Sequence, residues 1–232
     1  MLENPPTATG VFVVGREMPA AEVQWELQQV LPAGTTPFQA HCMLSGVDSN
    51  TPHVMPVVLI YRTESGPAVQ PNHLYHAHGR LSHDAGIRKM ILEVSSINGM
   101  TCLGPSPVSY GQFIPHLVDS VSLSAHGKPI YAEVEVALDF GPEVVVLMVE
   151  HNSWFQSVEP PYDSLIVSEL TNLNKHIDSL IYYRGEPGLA MLNVDDFNER
   201  RVNTFISGYI QNWDADTEEL TIQVTDEAAG VM

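Results

Sequence analysis

The sequence predicts a mainly β protein: a curled antiparallel barrel with one long helix packed on it near 164–182 and a short helix near the N-terminus. Three observations carry this expectation. Short apolar or alternating segments, rich in β-branched and aromatic residues, recur from residue 37 onward, each bounded by Gly, Pro, Asn or Asp. Glycines stand inside two of these segments, at Gly79 and Gly208, where a bend or bulge lets a strand curl into a barrel. Helical spacing stands out over one stretch, where Ile166, Leu170, Leu173, Ile177 and Leu180 follow at three- and four-residue intervals.

In chain order, residues 1–19 read as an irregular lead-in with Pro5, Pro6 and Pro19 around a short strand, "VFVVG". Val23, Leu27, Val30 and Leu31 lie between Pro19 and Pro32-Ala-Gly34 at a spacing that predicts the short helix. Val23, Trp25 and Leu27 also match the alternation of a strand. The strands that follow are "PFQAHCMLSG", "VMPVVLIYRT", "NHLYHAHGRLS" and "RKMILEVSSI". The clearest hairpin is "YAEVEVALDFGPEVVVLMVEH". Ala132, Val134, Val136 and Leu138 face one way, Glu133 and Glu135 the other, and Asp139-Phe-Gly141-Pro142 supplies the turn. The return segment, Val144–Val149, is apolar throughout and reads as a strand covered on both faces. Asp163 or Ser164 caps the long helix, and Gly185, Pro187 and Gly188 end it. A turn of helix at "DDFNERR" precedes two last strands, "TFISGYIQNW" and "ELTIQVTD". No low-complexity linker interrupts the chain, so residues 1–232 read as one domain, with "VEPPYD" at 158–163 the single candidate boundary.

The two glycine-bearing segments echo one another. Ala-His-Gly79-Arg-Leu81 is followed across a turn by Met90-Ile-Leu92-Glu-Val94, and Ile-Ser-Gly208-Tyr-Ile210 by Leu220-Thr-Ile222-Gln-Val224. This strand-with-glycine, turn, alternating-strand pattern resembles the first hairpin of OB-fold proteins, over about 18 residues at each of the two places. The resemblance implies a barrel that binds single-stranded nucleic acid or docks protein through aromatic and basic residues. Here it points to Tyr75, Arg80, Arg88 and Lys89 as ligand-binding residues. The second echo offers Tyr209 and Trp213, but its hairpin, "QNWDADTEE", is acidic.

Charge limits the partners. Ten basic residues against 28 acidic ones give a net charge of −18, which repels phosphate backbones and anionic lipid at long range. The expected partners are therefore another protein or a second copy of the chain, with nucleic acid a weaker possibility and a membrane excluded. No apolar run is long enough to span a bilayer, and "MLENPPTATG" lacks the basic and then apolar pattern of a signal peptide, so cytoplasm or nucleus is the expected location. Cys42 and Cys102 sit in apolar contexts and read as buried free thiols.

Residues 72–83, "NHLYHAHGRLSH", hold four of the ten histidines. In a strand, His76 and His78 share a face, the arrangement by which two imidazoles converge on a divalent metal. The pair resembles the metal motif of the cupin family in its His-x-His, but Ser82 and His83 occupy the positions where that family places a glutamate. A metal at His76 and His78 is thus an alternative to histidines that simply gain charge in mild acid. Nucleophile elbows, His-Glu-x-x-His, phosphate-binding loops and Cys-x-x-Cys pairs are missing. The sequence therefore predicts a non-enzymatic binding or assembly module without a cofactor, with a nucleic-acid-handling complex as its OB-like setting. A metal-dependent β-barrel enzyme and a self-assembling structural protein are the alternatives.

Overall fold

Among the described residues, twelve strands form one continuous sheet that closes on itself twice. The computed structural model describes residues 6–19, 31, 34–46, 52–62, 68–84, 89–94, 97–136, 143–150, 180–185, 204–214, 219–224 and 230–231. In the first circuit β1 (Thr7–Glu17) pairs antiparallel with β2 (Thr35–Leu44), and β2 with β3 (His53–Arg62). Strand β3 runs parallel to β5 (Lys89–Val94), which pairs antiparallel with β4 (His73–Asp84). Strand β4 then returns to β1, in register from Thr7↔Arg80 to Val14↔His73. The cyclic order 1-2-3-5-4-1 is that of the OB fold, so the expected OB-like barrel is present. A further strand, β6 (Met100–Pro105), lies along the first half of β4.

The second circuit repeats that order. Strand β7 (Val121–Val136) pairs with β8 (Glu143–Glu150), and β8 with β9 (Leu180–Gly185). Strand β9 runs parallel to β11 (Glu219–Val224), β11 pairs antiparallel with β10 (Thr204–Asp214), and β10 returns to β7. A last pair of residues, β12 (Gly230–Val231), sits beside the start of β10.

The echoing segments are the fourth and fifth strands of the two circuits, not their first hairpins. Gly79 stands opposite Ala8 of β1, and Gly208 opposite Leu123 of β7. Arg80 pairs with Glu93 as Tyr209 pairs with Gln223. Ala8 and Leu123 are therefore counterpart positions, and they face each other where β1 pairs antiparallel with β7. Thr7↔Ser124 and Thr9↔Ser122 flank that pair symmetrically. A local twofold axis passes between Ala8 and Leu123 and exchanges the two circuits.

Alternation builds the interior. Phe12, Val14, Phe38, Tyr61, Leu81 and Leu92 fill the first circuit, and Leu123, Ile206, Ile210, Trp213 and Ile222 the second, all in one contiguous apolar cluster. Strand β8 is paired along both edges, by β7 and β9, and the cover of its two faces lies outside what is described. The long helix is corrected at its C-terminal end. Leu180–Gly185 is strand β9, because "LIYYRG" lies between β8 and β11 and satisfies its backbone in two ladders. Residues 164–179, the short N-terminal helix, the turn at "DDFNERR" and the boundary at 158–163 lie outside the described residues. Among the described residues no helix is long and apolar enough to cross a membrane.

The two strand glycines have a steric reason. A Cβ on Gly79 would strike the Glu93 carbonyl, and one on Gly208 the Gln223 carbonyl, where the fifth strand of each barrel crosses the fourth. Both obstacles are backbone, so neither can turn aside. Gly79→Ala and Gly208→Ala should each lower stability by about 1–3 kcal/mol in urea unfolding, as overpacked sites do. Unchanged midpoints in both variants would contradict this account of the barrel bend.

Candidate ligand-binding faces

An OB barrel customarily binds on the outer face of its second and third strands. In the first barrel that face is covered by the chain itself. The outward residues of β2 include His41 and Met43, both buried because the segment after β6, Ser106–Ser120, crosses over them. Val13, Met43 and Ile114 form a small outer core, with Leu74, Val108, Phe113, Leu117 and Val118 packed against it. The Tyr110 ring meets His41 edge-on at 4.8 Å, and its hydroxyl donates to the Ala40 carbonyl at 3.4 Å. The end of the segment is pinned: Asp119 N–H donates to the Met43 carbonyl at 2.9 Å, and the Asp119 carboxylate accepts from Ser45 N–H at 2.9 Å. On the neighbouring strands Val58, Ile60 and Ile91 are buried with Met18, and Leu31 packs against them.

His41 is the polar exception in this cover. Neither ring nitrogen has a hydrogen-bond partner. Burial lowers its pKa to about 4, opposed by the Gln112 carbonyl, which lies nearby but outside hydrogen-bonding geometry. From sequence, His41 is one of the residues that could complete a metal site with His76 and His78; the structure instead seals it under Ser106–Ser120, and no such group of three forms among the described residues.

A different face is polar and exposed. It runs over the four central strands β4, β1, β7 and β10, on both sides of the local twofold axis. Outward from β4 stand His76, His78 and Arg80, opposite Val11, Thr9 and Thr7 of β1. Across the junction Thr9 and Thr7 lie beside Ser122 and Ser124 of β7. Those in turn lie beside Tyr209 and Ser207 of β10. Thr9 Oγ1 and His78 Nδ1 are 2.6 Å apart, and Ser122 Oγ donates to the Thr9 carbonyl at 3.2 Å. His126 and Phe205 complete the face with a ring contact at 4.9 Å. Tyr209 is 47% exposed, one of only two large apolar side chains so exposed among the described residues. No Asp or Glu occupies any of these outward positions, although the chain holds 28.

The sequence-derived candidates fall in different places. Arg80 is on this face, and Lys89 opens β5 opposite Asp84. Arg88 lies outside the described residues. Tyr75 points into the barrel, 2% exposed, with its hydroxyl accepting from Gln70 N–H at 2.7 Å. His76 and His78 share an exposed face, as strand parity requires, while His73 bonds the Pro71 carbonyl at 3.0 Å. Among the described residues no three His, Cys, Asp or Glu side chains are grouped to hold a metal ion. Thr7, Thr9, Ser122 and Ser124, which make the middle of the face, carry no sequence motif; only the pairing of β1 with β7 brings them together.

The cysteines divide. Cys42 is buried as expected, and burial pushes its thiol up to about 12, with Asp119 acting in the same direction. Cys102 is a correction, because it is exposed. It sits on β6, which among the described strands ends the sheet with a neighbour on one edge, and the ladder to β4 is broken beside it.

No protein-family model matches this chain, and no curated protein matches it. Among solved structures it is similar to the wild-type single-stranded DNA binding protein from Thermus aquaticus, at 13% identity and a TM-score of 0.48, over 95% of this chain and 89% of that one. A deletion mutant of the same protein (delta 228-252, R190A) aligns at 12% identity and a TM-score of 0.46, over 95% and 91%. The description of this chain as an OB-type β-barrel protein rests on its own strand order and closure.

Two measurements test these environments. The unfolded chain protonates His41 near the ordinary value of 6.5 and the native chain only near 4, so this site's contribution is complete above pH 6.5 and is lost as pH falls toward 4. Between pH 7 and 4.5 the native protein should lose about 2–3 kcal/mol that His41→Leu does not lose. Equal pH dependence of the two proteins would refute it. A thiol reagent should modify one cysteine per native chain, Cys102, and reach Cys42 only on unfolding.

Proposed function

We propose that this chain is a non-enzymatic OB-type binding module that handles single-stranded nucleic acid within a larger protein assembly. The observation that carries the reading is how charge divides over the duplicated barrel. Residues 1–105 hold 5 basic and 8 acidic residues, a net of −3, together with six of the ten histidines. Residues 106–232 hold 5 basic and 20 acidic residues, a net of −15. The repulsion expected of −18 therefore belongs mostly to one half. The first barrel is close to neutral and lies within reach of a polyanion, while the acidic half suits a basic protein partner.

That acidic half also favours a second reading, a docking module that binds protein alone. Fluorescence anisotropy with labelled oligothymidylate and oligouridylate separates the two. The proposed function expects binding at about 20 mM salt that weakens as salt rises, with log K falling against log salt at a slope of about −1 to −2. Absence of binding to either oligomer at that salt would leave the protein-only reading.

A further inference from the structure

We infer that single-stranded nucleic acid binds across the junction of the two barrels, on the outer face of β4, β1, β7 and β10, and not on strands β2 and β3 of the first barrel. The inference rests on the proposed function and locates its site. Three observations lead to it.

The customary face is taken. His41 and Met43 of β2 lie under Tyr110 and Ile114, and Val58 and Ile60 of β3 lie under Met18. A ligand would have to strip an apolar cover from its own chain before reaching either strand. The junction face, by contrast, is accessible at His76, His78 and Tyr209.

Its chemistry fits an extended single strand. Tyr209 gives a base an exposed aromatic surface for stacking, which is sequence-tolerant because every base has a π-face. On the far side of the axis the exposed His76 and His78 supply donors for phosphate, and Arg80 stands beside them opposite Glu93. Between them the Thr and Ser hydroxyls form short polar rows that bond sugar or phosphate oxygens and exclude nothing by size. Four strands at ~4.8 Å spacing put ~14 Å between β4 and β10, room for a short segment of single strand. A duplex presents no unstacked base to Tyr209, so the face selects single strands.

Its charge complements the ligand. The positions named on β4, β1, β7 and β10 carry no carboxylate in a chain whose second half alone has 20, and the nearest one, Glu93 of β5, stands beside Arg80 at the edge of the face. The twofold axis adds a reason for the layout. Arg80 and Tyr209 are counterparts in the two barrels, so the duplication has put a cation at one end of the face and an aromatic ring at the other.

Anisotropy titrations of the full chain with labelled oligothymidylate test the placement. Tyr209→Ala should weaken binding roughly tenfold and Tyr209→Phe should leave it near wild type, as stacking requires. Ser207→Lys should tighten binding and steepen the salt slope by somewhat less than one unit. Arg62→Ala, at the end of β3, should bind as the wild type does. Thermal melts within the wild-type range certify each variant as folded; Tyr209 is exposed enough for its loss to leave the fold intact. If the wild type binds but Arg62→Ala weakens it and the Tyr209 and Ser207 variants do not change it, the site is elsewhere and the proposed function survives. If the wild type binds no oligomer, both fall. If an acidic peptide such as polyglutamate binds as tightly as the oligomer and is equally insensitive to Tyr209→Ala, the face is a protein-docking surface and this placement is overturned.

Discussion

The antiparallel pairing of β1 with β7 is the contact on which the rest of this molecule depends. Without it there are two small barrels, each with a first strand whose outer edge ends in unpaired backbone groups, a template for unwanted association. With it, Thr7–Gly10 and Val121–Ser124 satisfy each other's N–H and C=O groups, and the interiors merge into one apolar cluster. Each first strand has a divided duty. The beginning of β1 serves β4 and β7, and its end serves β2; the beginning of β7 serves β10 and β1, and its continuation serves β8. A strand can satisfy partners in this staggered way only if it bends between them, and the crossing of the fifth strand over Gly79 and Gly208 is the same curvature seen from the other side.

The junction also fixes what happens to the outer surfaces. Residues 106–120 must lead from β6, at one end of the sheet, to β7 in its middle. The segment takes the path over β1 and β2, and its apolar residues there remove Val13 and Met43 from water. The bond from Gly46 N–H to the Gln211 carbonyl at 2.9 Å ties the end of β2 to β10 of the other barrel. Relative motion of the barrels would break these contacts together with the β1–β7 ladder. The cost of the arrangement is His41, an imidazole sealed under the segment with neither nitrogen satisfied.

Much of this was legible in the sequence, and the part that was not has a physical cause. Strands β2, β3 and β5, buried on both faces, announce themselves as short apolar runs rich in β-branched residues, and β4 and the β10–β11 hairpin, exposed on one face, by alternation and boundary residues. The repeat was visible at Gly79 and Gly208, since only glycine lets the fifth strand cross the fourth so closely. Its place within the barrel was not, because local sequence records a bend but not which strands close the circuit. Strand β9 reads as the end of a helix from sequence because Ile177 and Leu180 satisfy a helical period, while the parallel ladder to β11 is a contact some 40 residues away in sequence. Tyr75 and Arg80 are close in sequence, but five positions apart on a strand puts them on opposite faces. The hydroxyls between Arg80 and Tyr209 could not be found at all by reading along the chain, since they belong to a surface made by two strands more than 100 residues apart.

The net charge has a meaning for such a surface that the total of −18 conceals. At physiological salt the screening length is about 8 Å, so a bound group feels the residues it touches and little of the acids on the far side of the second barrel. The whole-molecule charge acts instead on encounter, and it opposes the approach of any polyanion. A face poor in fixed cations gains little from counterion release. Affinity for a single strand there would have to come from stacking and hydrogen bonds made after contact, which Tyr209 and the neighbouring hydroxyls would supply. Both effects discriminate in the same direction. On the proposed reading a duplex would meet the repulsion in full and gain no stacking, whereas an unpaired base would gain stacking on Tyr209.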